Sequence, residues 1–366
     1  MREGPSAAVI SGAHRWRSRI ASWKGTDLLA ERVPLTGGEL TANATQDVPE
    51  RLTFTVPEVA DGFSWVPDSD EHPLAEFGQF VDVDVDVWSS VTAGAADAPP
   101  TATSPLGRFQ IQDWEHDRST GTVTVECVGL LQKPKDAGFR TPMVPRPSGT
   151  FVTELRRLML PGMPVLVDAA LTDRAVPQSM VWGEDRLGAL YDLADAWPAL
   201  LRVDSSGVVR LLPPLPAVPT PVLAWTNGEN GTVISAPRSG TRDGIANVVI
   251  ARSTATDDPG KAPLQQVAQV TSGPLRPEVY GEVTYVWSSP LATTNAQLLA
   301  SAQTILGRKS RPALVRKVTC VPDPRVELDD AASVTTEDGT DVGFVVGYRL
   351  PLTAKGGAMT VDVGVS

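Results

Sequence analysis

Acidic residues alternate with valines in one short stretch of this sequence, and carboxylates placed this close together are potential calcium ligands. The alternating residues are Val81, Val83, Val85 and Val87 on one side and Asp82, Asp84 and Asp86 on the other. An EF-hand loop needs glycine at its sixth position and an acidic residue at its twelfth. Counted from Asp82, these positions hold Val87 and Ala93, so the loop motif is absent. The period of two predicts instead a strand whose three carboxylates form an exposed acidic face, which could line a channel in an assembly.

The histidines form no metal-binding or catalytic motif. His14, His72 and His116 lie far apart, and the sequence contains no HExxH and no paired metal-ligand spacing. A Walker loop, a G-x-G-x-x-G loop and a G-x-S-x-G elbow are absent as well. We therefore expect no catalytic residue, no cofactor and no metal ion. A glycan hydrolase needs only two well-placed carboxylates, however, so 43 acidic residues leave a cell-wall hydrolase open as an alternative.

The nine tryptophans raise a second alternative, carbohydrate binding, because sugar faces stack on aromatic rings. A protein of that class would present solvent-exposed tryptophan faces. Five of the tryptophans instead fall within strand-like or helix-like patterns: Trp16, Trp88, Trp182, Trp197 and Trp287. For these five the pattern favours packing in a core or an interface.

The composition of the chain narrows the classes of protein to which it could belong. The net charge of −11 argues against a sequence-specific nucleic-acid binder, which would carry a basic face. The 32 prolines predict short elements joined by turns rather than long helices. Cys127 and Cys320 both lie in strand-like runs and are predicted to be buried reduced thiols, although one long-range disulfide stays open. No apolar run reaches about 18 residues, so no membrane span is expected, and we expect the protein to be made and folded in the cytoplasm.

The order of the predicted elements divides the chain into three segments. Residues 1–132 are rich in alternating strands, among them one in which Arg15, Arg17 and Arg19 form a polar face. Residues 133–221 begin with a proline-rich linker and then mix helical and strand periods, which indicates an α+β domain. Residues 222–366 return to strands, with one helix for which Asn295 is the predicted N-cap and Gly307 the predicted end. We therefore predict a mainly β protein in which two barrel-like or sandwich domains flank a mixed α+β domain.

One segment near the start resembles a known family. Residues 38–57 form two short strands around a polar turn, and in the second strand Leu52, Phe54 and Val56 share one face. This pattern resembles a segment that opens many tail hub proteins, also called minor tail proteins, of siphophages that infect actinobacteria. The hairpin at residues 201–211, the apolar strand at 245–251 and the helix at 295–307 resemble later parts of such hubs.

The resemblance implies a fold and a mechanical task. Hubs of this kind carry two tail-tube-like β domains with α+β domains between them, and they assemble as homotrimers. Three copies of two similar domains form a pseudo-sixfold ring, which adapts the sixfold tail tube to a threefold tip. The implied protein is not an enzyme. It lies at the distal end of the virion tail after assembly in the host cytoplasm.

The same resemblance implies the partners. These are the distal tail protein, the C-terminus of the tape-measure protein and the fibre or tip proteins, while genomic DNA passes through the ring without specific binding. The alternatives are a cell-wall glycan hydrolase, which would lose activity when one acid pair is changed, and a carbohydrate-binding receptor protein of the virion, which would expose tryptophan faces.

Overall fold

The computed structural model describes residues 1–90, 98–229, 231–254 and 264–365. The α-helices in these ranges are α1 (Ala7–Ser11), α2 (Gln132–Asp136), α3 (Phe151–Leu158), α4 (Arg186–Ala196), α5 (Pro277–Tyr280) and α6 (Asn295–Ser310). Short 3-10 turns cover Arg311–Ala313 and Ala354–Gly356.

Strands predominate, as the alternation in the sequence predicts. They are β1 (His14–Lys24), β2 (Asp27–Ala30), β3 (Gly37–Asn43), β4 (Glu50–Pro57), β5 (Val59–Ala60), β6 (Phe63–Ser64), β7 (Gln79–Ser89), β8 (Ala102–Asp117), β9 (Thr122–Gly129), β10 (Val165–Val167), β11 (Leu200–Val203), β12 (Val209–Leu212), β13 (Leu223–Thr226), β14 (Val233–Ser235), β15 (Arg238–Gly240), β16 (Val248–Ser253), β17 (Gln265–Gln269), β18 (Thr284–Ser289), β19 (Leu314–Cys320), β20 (Ala331–Thr336), β21 (Gly339–Pro351) and β22 (Met359–Val365).

Contacts between residues divide the chain into two compact units. The first unit contains Met1–Leu130, Val218–Ser239 and Val315–Val365, and the second contains Leu131–Ala217 and Gly240–Leu314. This grouping differs from the three consecutive segments predicted from the sequence, because strands from both ends of the chain pair with each other. The boundaries at residues 132 and 221 stay a prediction about domain organisation.

The first unit is built on a 14-stranded sheet. Its main path runs β14–β19–β22–β21–β3–β4–β9–β8–β7–β1–β2, with β13, β15 and β20 attached beside it. The link between the two ends of the chain is the antiparallel pair β3–β21, in which Leu40 lies opposite Leu350. No sheet among the described residues closes into a barrel. The mainly β class with α+β content is confirmed, whereas two separate barrels are not shown.

Period-two alternation builds the core of this unit. On β4 the side chains of Leu52, Phe54 and Val56 are completely buried, which confirms the predicted apolar face. Leu52 lies opposite Leu40 on one neighbouring strand and opposite Cys127 on the other. The apolar face of the early hairpin therefore belongs to the main core of the sheet.

Cys127 and Cys320 are both buried and free, which confirms the prediction of reduced thiols. Burial raises the pKa of both thiols, that of Cys320 to about 12, because a desolvated thiolate is unfavourable. Both thiols are therefore protonated and unreactive at neutral pH.

The second unit combines two three-stranded sheets with helices. Strands β10–β12–β11 form one sheet and β17–β16–β18 the other, and α6 packs on β16 and β17. Helix α6 also contacts α4 through a two-pronged ion pair, in which Arg308 donates to Asp195 at 2.8 and 3.0 Å. None of the helices in the described ranges is long and apolar enough to cross a membrane.

Candidate interaction surface

Strand β7 carries the aspartates singled out by the sequence, and it lies between β1 and β8. Its valines point inward and are at most 2% exposed: Val81, Val83, Val85 and Val87. Since neighbouring side chains on a strand point to opposite faces, the three aspartates lie together on the outer face of the sheet. We call the outer face of β1, β7 and β8 the ladder face.

Arginines from both neighbouring strands cover the aspartates. Arg108 on β8 lies opposite Asp82 and binds it through two parallel hydrogen bonds of 2.7 and 2.8 Å. Arg19 on β1 lies opposite Asp84 and donates to it at 2.9 Å. The hydrogen bond with Asp84 raises the pKa of Arg19 above its ordinary value. These pairs are cross-strand ion pairs, the arrangement in which opposite charges stabilise a sheet.

Asp86 corrects the prediction of an exposed acidic face. Its side chain is only 3% exposed, because Thr103 donates a 2.7 Å hydrogen bond to it from one side. Arg17 and Arg19 lie 3.8 and 4.0 Å from its carboxylate on the other side. The side chains of Asp82 and Asp84 are 32% and 30% exposed. Whether this face lines a lumen stays a prediction.

Arginine–aromatic contacts flank the row of ion pairs. The guanidinium of Arg15 lies 4.4 Å from the ring centre of Trp88 at one end, and that of Arg108 lies 4.2 Å from Phe80 at the other. The ladder face thus has four arginines and three aspartates, and its charge is nearly balanced. The alternating arginines of β1 predict that these side chains share one face of the strand. The alternation does not show which strand lies beside β1, so the sequence could not predict the arginine–aspartate pairs.

The path of the sheet ends at two edge strands, β2 and β14. Within the described part of the chain, β2 pairs with β1 alone and β14 with β19 alone. Each edge exposes one large apolar side chain, Leu28 at 47% and Ile234 at 65%. An edge strand offers unpaired N–H and C=O groups to which another strand can add. Both edges are therefore places where a second chain could continue the sheet.

The histidines serve local structure. His14 Nδ1 lies 2.9 Å from Gly12 O, and His116 Nε2 lies 3.2 Å from Glu58 Oε2. His72 lies 3.1 Å from both Ser64 O and the Leu74 backbone nitrogen. Among the described residues, no group of three or more His, Cys, Asp or Glu side chains is placed to hold a metal ion.

Most of the tryptophans noted in the sequence pack inside the protein. Trp88, Trp182, Trp197 and Trp287 are 2–8% exposed, which confirms their predicted packing role. Trp16 on β1 is half-buried. These five positions therefore do not present the open aromatic platforms that a carbohydrate-binding face needs.

Comparison with known proteins gives a likeness in fold alone. No protein-family model matches the chain, and no curated protein matches it in sequence. The tail protein from Neisseria meningitidis MC58 is 12% identical, with a TM-score of 0.65 over 96% of this chain and 97% of that one. The 43 kDa tail protein of prophage MuSo2 from Shewanella oneidensis is 13% identical, with a TM-score of 0.60 over 94% and 98%. Prophage tail protein gp18 from Listeria monocytogenes EGD-e is 10% identical, with a TM-score of 0.57 over 94% of both chains. Over nearly its whole length, this chain therefore has the fold of three tail proteins, two of them from prophages.

Proposed function

We propose that this chain is a structural protein of a phage tail and acts as a trimeric hub at the distal end of that tail. The observation that carries the proposal is the fold shared with three tail proteins over at least 94% of both chains. The early hairpin, whose buried face is Leu52, Phe54 and Val56, adds the resemblance to hubs of siphophages that infect actinobacteria. The proposed role is mechanical rather than catalytic.

The open sheet edges suggest how three copies would assemble. In the proposed ring, β2 of one copy meets β14 of the next, so that the sheet continues from copy to copy. Such a head-to-tail interface uses two different surfaces and closes when the rotation between copies returns to the start. The segments 1–132 and 222–366 would supply the two tube-like portions of each copy, and three copies would present six portions to the sixfold tail tube.

The ladder face suits a channel through which DNA passes without being held. DNA binding by a protein surface depends on basic side chains that displace counterions from phosphates. Here Arg19 and Arg108 are already paired with Asp84 and Asp82, so few positive charges are free. We propose that this face lines the lumen, where the balanced charge lets phosphates slide past.

The proposed partners are those of a tail tip. The ring would hold the distal tail protein on one side and fibre or tip proteins on the other, and it would contact the C-terminal end of the tape-measure protein until DNA ejection. Assembly would take place in the host cytoplasm before the tail is completed.

The test of the hub is the mass and symmetry of the purified chain. Light scattering should give about three times 38.8 kDa, and averaged electron micrographs should show a threefold ring with a central hole. The variants Leu28→Lys and Ile234→Lys should yield monomers, because a charge on an edge strand opposes strand addition.

Val218→Lys is the matched control, since Val218 is 79% exposed and belongs to no strand. It should leave the trimer intact. A ring of another symmetry, or a trimer that survives both edge variants, would contradict the proposed assembly.

A further inference from the structure

The first unit contains a cavity of about 550 Å³ beside the inner face of β1. Its walls come from four parts of the chain: Trp16 and Ser18 on β1, residues 32–36 before β3, Asp61 and Trp65 in and after the β5–β6 hairpin, and residues 352–354 after β21. Since the arginines of β1 point to the ladder face, the residues between them point towards the cavity. A volume in this range is typical of sites that bind small molecules.

Hydrogen bonds hold two of the walls in place. Thr36 donates to Thr55 O through its backbone nitrogen at 2.9 Å and through its hydroxyl at 3.0 Å. Trp65 N donates to Glu58 O at 2.8 Å across the base of the β5–β6 hairpin. A cavity with walls fixed in this way loses little conformational entropy when a small molecule binds.

Three side chains that line the cavity carry buried polar atoms for which the described part of the chain offers no hydrogen-bond partner. These atoms are Ser18 Oγ, Trp65 Nε1 and Thr353 Oγ1. Ser18 and Trp65 are only 8% and 7% exposed. A buried polar group without a partner costs free energy, so native proteins normally satisfy it. Because all three belong to the lining of one cavity, we expect a molecule inside it to complete their hydrogen bonds.

Two charged side chains of opposite sign also line the cavity. Arg32 and Asp61 are both exposed, and neither side chain has an ion-pair or hydrogen-bond partner among the described residues. A molecule that satisfies both must accept hydrogen bonds from a guanidinium and donate them to a carboxylate. A simple anion would be repelled by Asp61 and a simple cation by Arg32, while an apolar molecule would leave both unsatisfied.

We infer that this cavity binds a small sugar through the hydroxyl groups of a pyranose ring. Each sugar hydroxyl both donates and accepts, so a sugar can accept from Arg32 and Trp65 and donate to Asp61. The apolar face of the ring would contact Trp16, which lines the cavity and is half-buried. Trp16 thus offers a contact inside a cavity rather than an open aromatic platform. The inference goes beyond the proposed hub and depends on the cavity alone.

The test measures the binding of free pyranoses to the full chain by saturation-transfer NMR and isothermal titration calorimetry. The pyranoses are glucose, galactose, mannose and N-acetylglucosamine, and the comparison compounds are sodium acetate, an anion, and alanine, a zwitterion. At least one pyranose should bind saturably at millimolar concentration, and acetate and alanine should not.

Two variants test the charged groups. Arg32→Gln and Asp61→Asn should each weaken the binding of that pyranose by about tenfold, because each removes a hydrogen bond to a charged group. Asparagine tolerates the left-handed backbone of position 61, φ 51°, so the turn is kept. Arg51→Gln is the matched control, since Arg51 is an exposed residue of β4 that does not line the cavity. It should bind the sugar as the wild type does.

Ser18→Ala separates a role in binding from a role in the fold. It removes a buried hydroxyl that has no partner in the described part of the chain, so the free energy of unfolding should stay unchanged or rise. The same variant should weaken pyranose binding by about threefold, because the sugar loses one hydrogen bond. Urea unfolding and calorimetry measure the two effects. A loss of stability with unchanged sugar binding would assign the hydroxyl to the fold and contradict the inference.

Three further results would overturn the inference. If no pyranose binds saturably, water alone completes the polar groups of the cavity. If acetate or alanine binds more tightly than every pyranose, the cavity is a site for an anion or an amino acid. If Arg32→Gln and Arg51→Gln weaken the sugar equally, the sugar binds elsewhere on the chain. A failure of the trimer test leaves these outcomes unaffected, so the two proposals can fail separately.

Discussion

Asp341 on β21 is a single residue that joins two arginines from distant parts of the chain. Arg238 donates to its carboxylate at 2.9 Å, and Arg316, whose side chain is 3% exposed, donates to it as well. Burial acts to raise the pKa of Asp341, but the hydrogen bonds from the two arginines outweigh it and hold the pKa below its ordinary value. The carboxylate is therefore charged at neutral pH and balances a buried guanidinium.

The variant Asp341→Asn should destabilise the chain by about 3 kcal/mol at pH 7, because it leaves Arg316 buried without a counter-charge. Since the pKa of Asp341 is lower in the folded state than in the unfolded state, its stabilisation is complete above the unfolded value and is lost as the pH falls through the folded value. The difference between wild type and variant should therefore shrink below about pH 4. Urea unfolding at several pH values between 7 and 3 measures it.

Arg238→Gln is the comparison for this residue. Arg238 has a 61% exposed side chain, and its removal leaves the buried pair of Arg316 and Asp341 intact. Its effect on the free energy of unfolding should be clearly smaller than that of Asp341→Asn. A pH-independent loss in Asp341→Asn would show that packing, and not the ion pair, carries the effect.

At the scale of elements, the start of α6 depends on a residue that the sequence pattern places one position too late. Asn295 is the predicted cap, but Thr294 holds the capping position and accepts a 3.3 Å hydrogen bond from the Gln297 backbone. Gln297 in turn accepts from the Thr293 and Thr294 backbones at 2.8 and 3.2 Å, which completes a capping box.

Thr294→Ala should therefore lower the free energy of unfolding by about 1 kcal/mol. Asn295→Ala, the matched change at the next position, should have little effect or a slightly stabilising one, because alanine suits a helix interior better than asparagine. Denaturant unfolding followed by circular dichroism compares the two. Equal losses in both variants would assign the cap to neither residue alone.

Elements built from local contacts could be predicted from the sequence. The alternation of Leu52, Phe54 and Val56 identified the buried face of β4, and the valines of β7 identified its inner face. In each case the apolar residues identify the buried face of the strand, because side chains alternate between the two faces of any strand, whatever its neighbours are.

Pairings between distant strands could not be predicted in this way. The alternation of β3 gives its faces but not its neighbour, so nothing in the sequence assigned Leu350 as the partner of Leu40. The same gap explains Asp86, because its burial depends on Arg17 and Thr103, which lie on two other strands. The exposed acidic face of the prediction thus became a ladder of ion pairs.

For DNA binding by the molecule as a whole, the arrangement of charged residues on the surface matters more than the net charge. The chain carries a net charge of −11, yet the ladder face holds four arginines beside three aspartates. Paired in this way, the arginines contribute little free positive charge to that face, and the remaining surface repels phosphates. We therefore expect no measurable binding of duplex DNA by the wild-type protein at physiological ionic strength.

Removing two partners should release that positive charge. The variant Asp82→Asn with Asp84→Asn removes the carboxylate that pairs with Arg108 and leaves Arg19 only its 4.0 Å contact with Asp86. It should therefore bind duplex DNA weakly and without sequence preference, with an affinity that falls steeply as salt rises. Fluorescence anisotropy with a labelled duplex, at about 50 to 200 mM NaCl, measures the effect. Asp86 is left unchanged because it is buried, and its replacement would lower the stability of the chain as well as remove a charge.

The matched control removes the same two charges elsewhere on the first unit. Glu337→Gln with Asp338→Asn changes the exposed turn between β20 and β21 and leaves the ladder face intact. Because both double variants have the same net charge, a general loss of repulsion would make them bind DNA equally. Binding by the ladder variant alone would show that local pairing keeps this face from holding DNA, whereas binding by the wild type would contradict a channel through which DNA slides freely.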